Sequence, residues 1–167
     1  KKAEGCLYNE NYIVTWAFGH LFSLADIEDY TPNPDGRWSM KNIPCFPNEF
    51  KFELKKGKDK TVDAGVRRQF EIIKSLCRRE DVDTIVNAGD SDREGEIIIR
   101  ICVEKSGAVG KNFKRLWLPD QTPQTINKAL SEMKDEAEYQ NLANEGFART
   151  YIDWLYGVNL TRYATLK

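Results

Sequence analysis

The chain is poorly supplied for zinc or disulfide chemistry. It has one histidine, His20, and four cysteines, Cys6, Cys45, Cys77 and Cys102, scattered without a CxxC pair. That excludes the compact Cys/His metal modules and a disulfide-stapled scaffold. Cys77 and Cys102 fall on the apolar faces of predicted helices, and all four read as small buried hydrophobes. No apolar run approaches the roughly 20 residues of a membrane-spanning helix, and the opening residues 1–5 lack the apolar core of a signal peptide. The expectation is a soluble, cytoplasmic chain. Charge of one sign is also missing: 25 basic against 26 acidic residues leave a net −1, which argues against strong non-specific nucleic-acid binding by the chain as a whole. A local basic groove stays open. There is no internal repeat and no low-complexity segment.

What is present is an ordinary globular composition over 167 residues, 41% hydrophobic and 31% charged, enough for one domain or one plus part of another. Its most unusual stretch is Asn87-Ala88-Gly89-Asp90-Ser91-Asp92-Arg93-Glu94-Gly95-Glu96. The apolar run before it, Thr84-Ile85-Val86, reads as a short buried strand, and the run after it, residues 97–103, as a buried helix. Acids thus cluster where a strand ends and a helix begins, the usual ligand position in an open α/β sheet. Asp90, Asp92 and Glu94 repel one another unless a cation or a proton neutralises them, and oxygen-only ligands favour magnesium.

Residues 11–18 are rich in β-branched and aromatic side chains and read as a strand closed by Gly19-His20. An isolated histidine such as His20 is more often a packed turn residue than a functional one. Residues 29–60 hold the punctuation, Pro32, Pro34, Asp35-Gly36, Pro44, Pro47 and Gly57, and form a long excursion pinned by Trp38, Met40, Ile43, Phe46, Phe50 and Phe52. Within it residues 50–54 alternate as an edge strand, and the lysines at 55, 56, 58 and 60 read as a solvated turn. Val66, Phe70, Ile73 and Cys77 recur at helical spacing behind Asp63 as a cap. Further on, the pattern predicts a strand at 84–88, a helix ending near Ser106-Gly107, a strand at 113–118, and a helix opened by Thr122-Pro123 and running to about Met133. From 136 to 165 the drift is helical, with Gly146 and Gly157 as breaks or close-approach points. Alternating strand and helix make a parallel sheet covered by helices the economical architecture.

Two rivals compete with a metal site at the acidic stretch. Asp90-x-Asp92-x-Glu94-Gly95 overlaps the start of an EF-hand loop, but the twelfth position, where a bidentate glutamate is needed, is Ile101, and the loop follows a strand. The second rival, acids decorating a helix N-terminus, explains Glu94 and Glu96 well and Asp90 and Asp92 less well, because Gly89 and Gly95 flank them and let backbone or ligand come close. On spacing alone, metal site and helix cap both stand.

The stretch 89–96 resembles the acidic motif of the Toprim domain as written in type IA DNA topoisomerases, Asp-x-Asp-Arg-Glu-Gly-Glu. Residues 12–21 resemble that family's strand ending in Gly-His, and 38–47 its Trp and Leu-Pro-x-x-Pro loop. Arg115-Leu116-Trp117, Thr122-Pro123, and Ala148-Arg149 through Arg162 resemble the start of its helical DNA-binding domain, closer to topoisomerase III than to topoisomerase I. The resemblance implies an α/β Toprim fold, a Rossmann-like parallel sheet with helices on both faces, and an isomerase that works through Mg2+ without ATP. A tyrosine breaks one DNA strand through a 5′-phosphotyrosyl bond, the other strand passes, and the break is resealed. Asp90 and Asp92 would be the main metal ligands with Glu94 assisting, Arg93 and Glu94 would act at the reacting phosphate, and His20 would stand near them. Arg149, Asp153 and Arg162 would line the groove for single-stranded DNA, the partner of such an enzyme.

Departures from the family's pattern shape the rest of the expectation. The strand that carries a catalytic glutamate and lysine should precede Gly5, and Glu4 and Lys1-Lys2 do not supply it. No tyrosine, among Tyr8, Tyr12, Tyr30, Tyr139, Tyr151, Tyr156 and Tyr163, stands in a Tyr-Pro-Arg-Thr context, so no nucleophile is expected here. Pro119-Asp120 replaces a small polar pair. The reading is an internal piece, inactive alone, with a Toprim domain over 1–118 and the start of a helical DNA-binding domain over 119–167. Another Toprim protein, a primase or nuclease, and a non-catalytic DNA-binding module are the alternatives.

Overall fold

A computed structural model describes residues 1–31 and 37–167. The turn signals at Pro32, Pro34 and Asp35-Gly36 lie outside the described residues. The elements are β1 (Lys2–Ala3), β2 (Cys6–Tyr8), β3 (Ile13–Thr15), β4 (Phe22–Leu24), β5 (Phe52–Leu54), α1 (Ala64–Cys77), β6 (Thr84–Asn87), α2 (Arg93–Ser106), β7 (Asn112–Arg115), α3 (Pro123–Ser131), β8 (Lys134–Asp135) and α4 (Gln140–Leu166). The α/β class is as expected. Pairing is mixed: β6 and β7 run parallel, with Ile85 opposite Phe113 and Asn87 opposite Arg115, while β8 adds to β7 antiparallel. Two antiparallel sheets, three-stranded β1-β2-β3 and two-stranded β4-β5, are separate from it among the described residues.

The helices follow from local chemistry. Asp63 Oδ1 accepts from the backbone N–H groups of Gly65 and Val66 at 2.8 and 3.0 Å and so satisfies two of the four free donors of α1. Its apolar stripe, Val66, Phe70, Ile73 and Cys77, packs on Ile97, Ile101 and Cys102 of α2 and on Leu21 and Phe22, forming the core. Phe22 and Phe70 meet edge to face at 4.8 Å. Gly107 closes α2 in the left-handed conformation that a helix end commonly requires. Thr122 caps α3 with Pro123 in its first turn.

Several expectations change in detail. The strand of residues 11–18 shortens to β3 and pairs with β2, an element with no visible alternation; buried Gln69 ties this sheet to α1 by donating to the Trp16 carbonyl at 2.7 Å. The excursion leaves Met40 and Phe46 exposed, and Trp38 meets α4 through the Arg162 guanidinium, 4.6 Å from its ring centroid. It is also held where Phe50 stacks on Tyr151 at 4.2 Å and where Asn159 brackets Cys45, accepting from its N–H at 2.6 Å and donating to its carbonyl at 3.0 Å. The strand of residues 113–118 ends at Arg115, and the helical drift from 136 resolves into a 3-10 turn, Glu136–Tyr139, followed by the unbroken α4. Gly146 is a close-approach point: a Cβ there would lie 2.6 Å from Ile97 Cγ2 and 2.7 Å from the Arg93 carbonyl. Gly157 faces open space and breaks nothing.

Candidate functional site

The loop from Ala88 to Asp92 connects β6 to α2, so the strand-to-helix placement of the acids is as read from the sequence. Its glycines serve backbone packing. A Cβ on Gly89 would collide with the Gly95 carbonyl oxygen, and one on Gly95 would lie 2.5 Å from Asp90 backbone atoms. The loop is therefore folded against the first turn of α2. Asp92 is the cap of that helix, Oδ1 accepting from the Gly95 N–H at 2.7 Å. Part of the helix-cap reading is thus realised in Asp92.

Glu94, in the first turn, reaches the end of the β3–β4 connection, where its Oε1 lies 2.9 Å from His20 Nε2. Arg93 Nη1 donates to Glu145 Oε1 of α4 at 2.6 Å, and Arg149 Nε pairs with Asp153 Oδ2 at 2.7 Å one turn along α4. His20, Arg93, Glu94, Arg149 and Asp153 line one open cleft of about 400 Å³ between α2 and α4, floored by Gly146 and Ile97. It exists because α4 approaches α2 closely at Gly146. Each guanidinium facing the cleft is paired with a carboxylate, so an anion such as a phosphodiester would gain them by displacing Glu145 or Asp153.

Other expected residues lie elsewhere. Arg162 pairs through Nη2 with Glu28 Oε1 at 3.0 Å, with its guanidinium 4.6 Å from the Trp38 ring centroid, and is not in the cleft lining. Asp90 and Asp92 are exposed on the loop, and the described residues hold no group of three His, Cys, Asp or Glu side chains gathered as for a metal ion. The donor chemistry nonetheless fits Mg2+: the loop offers carboxylate oxygens and a buried Ser91 Oγ that has no hydrogen-bond partner among the described residues. None of the seven tyrosines lines the cleft.

The sequence reading missed the buried charge behind the loop. Glu96 and Arg115 are both fully buried, at 0% exposure. Arg115 Nε stands 2.8 Å from Glu96 Oε2, in ion-pair contact without the alignment of a hydrogen bond. Glu96 Oε1 accepts from Arg100 Nε at 2.9 Å, and Asn87 Nδ2 donates to Glu96 Oε2 at 3.2 Å. Arg115 Nη1 donates to the carbonyls of Asn87, Gly89 and Leu116 at 3.1, 2.8 and 2.9 Å, and Nη2 to that of Asp90 at 2.7 Å. Burial pulls the Arg115 pKa down and the Glu96 charge opposes that. Two signals were available: a glutamate immediately before the apolar run of residues 97–99, and an arginine inside the run from Phe113 to Leu118.

Over its full 167 residues the chain is 38% identical to DNA topoisomerase 3 of Bacillus subtilis. It is 36% identical to DNA topoisomerase 3 of Staphylococcus epidermidis and 38% identical to that of Bacillus licheniformis, again over its full length. It spans about 22% of the length of each of these curated relatives. The Toprim domain matches residues 1–120, which take in β1 to β7 and the acidic loop, and the chain belongs to the Toprim domain family.

Proposed function

We propose that this chain is part of a type IA DNA topoisomerase of the topoisomerase 3 kind, acting in the cytoplasm on single-stranded segments of DNA. The observation that carries the proposal is the cleft in which His20, Arg93 and Glu94 of the Toprim part face Arg149 and Asp153 of α4, in a chain alike end to end to DNA topoisomerase 3. No helix among the described residues is long and apolar enough to cross a membrane.

In this reading a DNA backbone enters the cleft between α2 and α4. Arg149 exchanges its solvated pairing with Asp153 for a phosphate, a small loss because both partners are exposed and such pairs contribute about 0–1 kcal/mol. Arg93 sits at the start of α2, beside the positive end of the helix dipole, and by exchanging Glu145 for the reacting phosphate adds positive charge where negative charge develops. Glu94 and His20, already in contact, form a proton-handling pair: the carboxylate orients the ring through Nε2, and the other ring nitrogen, Nδ1, passes a proton to or from an oxygen of the phosphodiester. Asp90 and Asp92, with Glu94, would hold Mg2+, which when bound supplies charge neutralisation at the phosphate. Arg162 reaches DNA only by leaving Glu28. The tyrosine nucleophile is not assigned to any residue of this chain, so the chain alone is expected to leave supercoiled DNA unrelaxed.

The test is plasmid relaxation by the complete gene product that carries this chain, with Mg2+ present. Changing Asp90 and Asp92 together to Asn should lower relaxation and religation about 10²-fold or more; full activity in that variant refutes the assignment. The capping bond of Asp92 favours a second reading, in which the acids only terminate α2 and the module binds DNA without chemistry. In that case Mg2+ leaves the amide resonances of residues 90–96 unmoved.

A further inference from the structure

We propose that Arg115 is a positioning residue for the acidic loop: buried on β7, it fixes the backbone carbonyls that set where Asp90 and Asp92 stand, and Mg2+ affinity depends on it. The inference rests on the metal reading of those aspartates given above and deepens it. It concerns a side chain that touches neither DNA nor metal.

Three of the four carbonyls held by Arg115 belong to one short segment, Asn87, Gly89 and Asp90, which is the passage from β6 into the loop. A planar guanidinium presents its donors in a fixed fork, so those oxygens are held at fixed angles as well as distances. Lysine has the charge without the fork. Arg115 is itself held on other sides. Glu96 of α2 faces its Nε at 2.8 Å, and the rings of Trp117 and Tyr139 stand 5.0 and 5.9 Å from its guanidinium carbon. Trp117 and Tyr139 stack on each other at 5.4 Å. One side chain thereby links the acidic loop, the first turns of α2 and the turn that starts α4.

Like-charged carboxylates can be held near one another only by a backbone that does not relax away, because each aspartate lowers its own energy by moving off. Without metal, that restraint falls to the loop backbone, and the only guanidinium that holds it in the described contacts is Arg115. Groups behind metal ligands commonly change metal affinity by about 10–100-fold.

The experiment is a Mg2+ titration of the protein followed by amide chemical shifts of residues 90–94, at a temperature where every variant is folded by circular dichroism. Arg115→Lys should bind Mg2+ about tenfold or more weakly with its fold intact. A double variant, Arg115→Met with Glu96→Gln, removes both buried charges together and so avoids stranding one of them. It too should fold and lose affinity. A purely structural role would lower the unfolding midpoint and leave the Mg2+ dissociation constant of the folded protein unchanged; affinities within twofold of the unsubstituted protein overturn the proposal. Should neither variant fold, the side-chain N–H resonances of Arg115 in the unsubstituted protein decide: shifts that saturate together with the Asp90 amide support it, and unmoved resonances overturn it. If the unsubstituted protein shows no Mg2+-dependent shifts at 90–94, the metal reading falls first and takes this inference with it.

Discussion

Glu96 and Arg115 bury a carboxylate and a guanidinium together, both at 0% exposure. Removing one charge of such a pair strands the other in a poorly solvated place, which costs about 3–5 kcal/mol. Glu96→Gln is therefore expected to destabilise the protein by about 3 kcal/mol in urea unfolding, while exposed Arg149→Gln should change stability by less than about 1 kcal/mol. The same burial silences the thiols. All four cysteines are free and buried, and burial pushes the Cys102 thiol up to about 12. At neutral pH the native protein should react slowly with a thiol reagent and release all four equivalents only on unfolding. Rapid labelling of Cys102 in the folded state would contradict that burial.

At the scale of elements, two glycines on α4 make opposite predictions. Gly146 lies where α4 crosses α2, and the nearest atoms to an added Cβ include the Arg93 carbonyl, which is backbone and cannot swing aside. Gly146→Ala should cost about 1–3 kcal/mol and widen the cleft, weakening any ligand that bridges the two helices. Gly157 is an exposed mid-helix glycine with nothing within 4 Å of an added Cβ. Gly157→Ala should stabilise by about 0.5–1 kcal/mol through helix propensity alone. Thermal unfolding of the two single variants separates these effects; equal shifts would mean that α4 does not pack on α2 in solution.

For the whole molecule, pH acts through two groups of carboxyls with opposite sign. Asp59, Asp81 and Asp120 are held below the usual carboxylate range by hydrogen bonds from Thr61, Arg79 and Thr122 respectively. Their stabilisation is present above the unfolded aspartate value of about 3.9 and is lost as pH falls below it. Glu136, beside the Glu96–Arg100 pair, is raised by burial, so its contribution is present below the unfolded glutamate value of about 4.3 and is lost as pH rises through the higher folded value. Glu136→Gln is thus expected to raise the unfolding midpoint at pH 7 and to leave it unchanged near pH 3. A midpoint that falls at pH 7 would show that the contact with Arg100 outweighs burial.

The sequence alone determined what depends on near neighbours: the helical stripe of α1, the caps at Asp63 and Thr122, the helix end at Gly107, the strand-to-helix position of the acids, and the resemblance to the Toprim family. These are legible because a cap and its N–H, or two residues one helical turn apart, are joined by a few bonds whatever the rest of the chain does. Only the tertiary structure decided that Glu94 meets His20 across 74 positions, that Asn159 brackets Cys45 across 114, and that Glu96 is buried against Arg115. β1, β2 and β8 were equally invisible, being two or three residues long and lacking alternation. The placement of such groups is settled by which surfaces exclude water together, a property of the packed molecule that no short stretch of sequence contains.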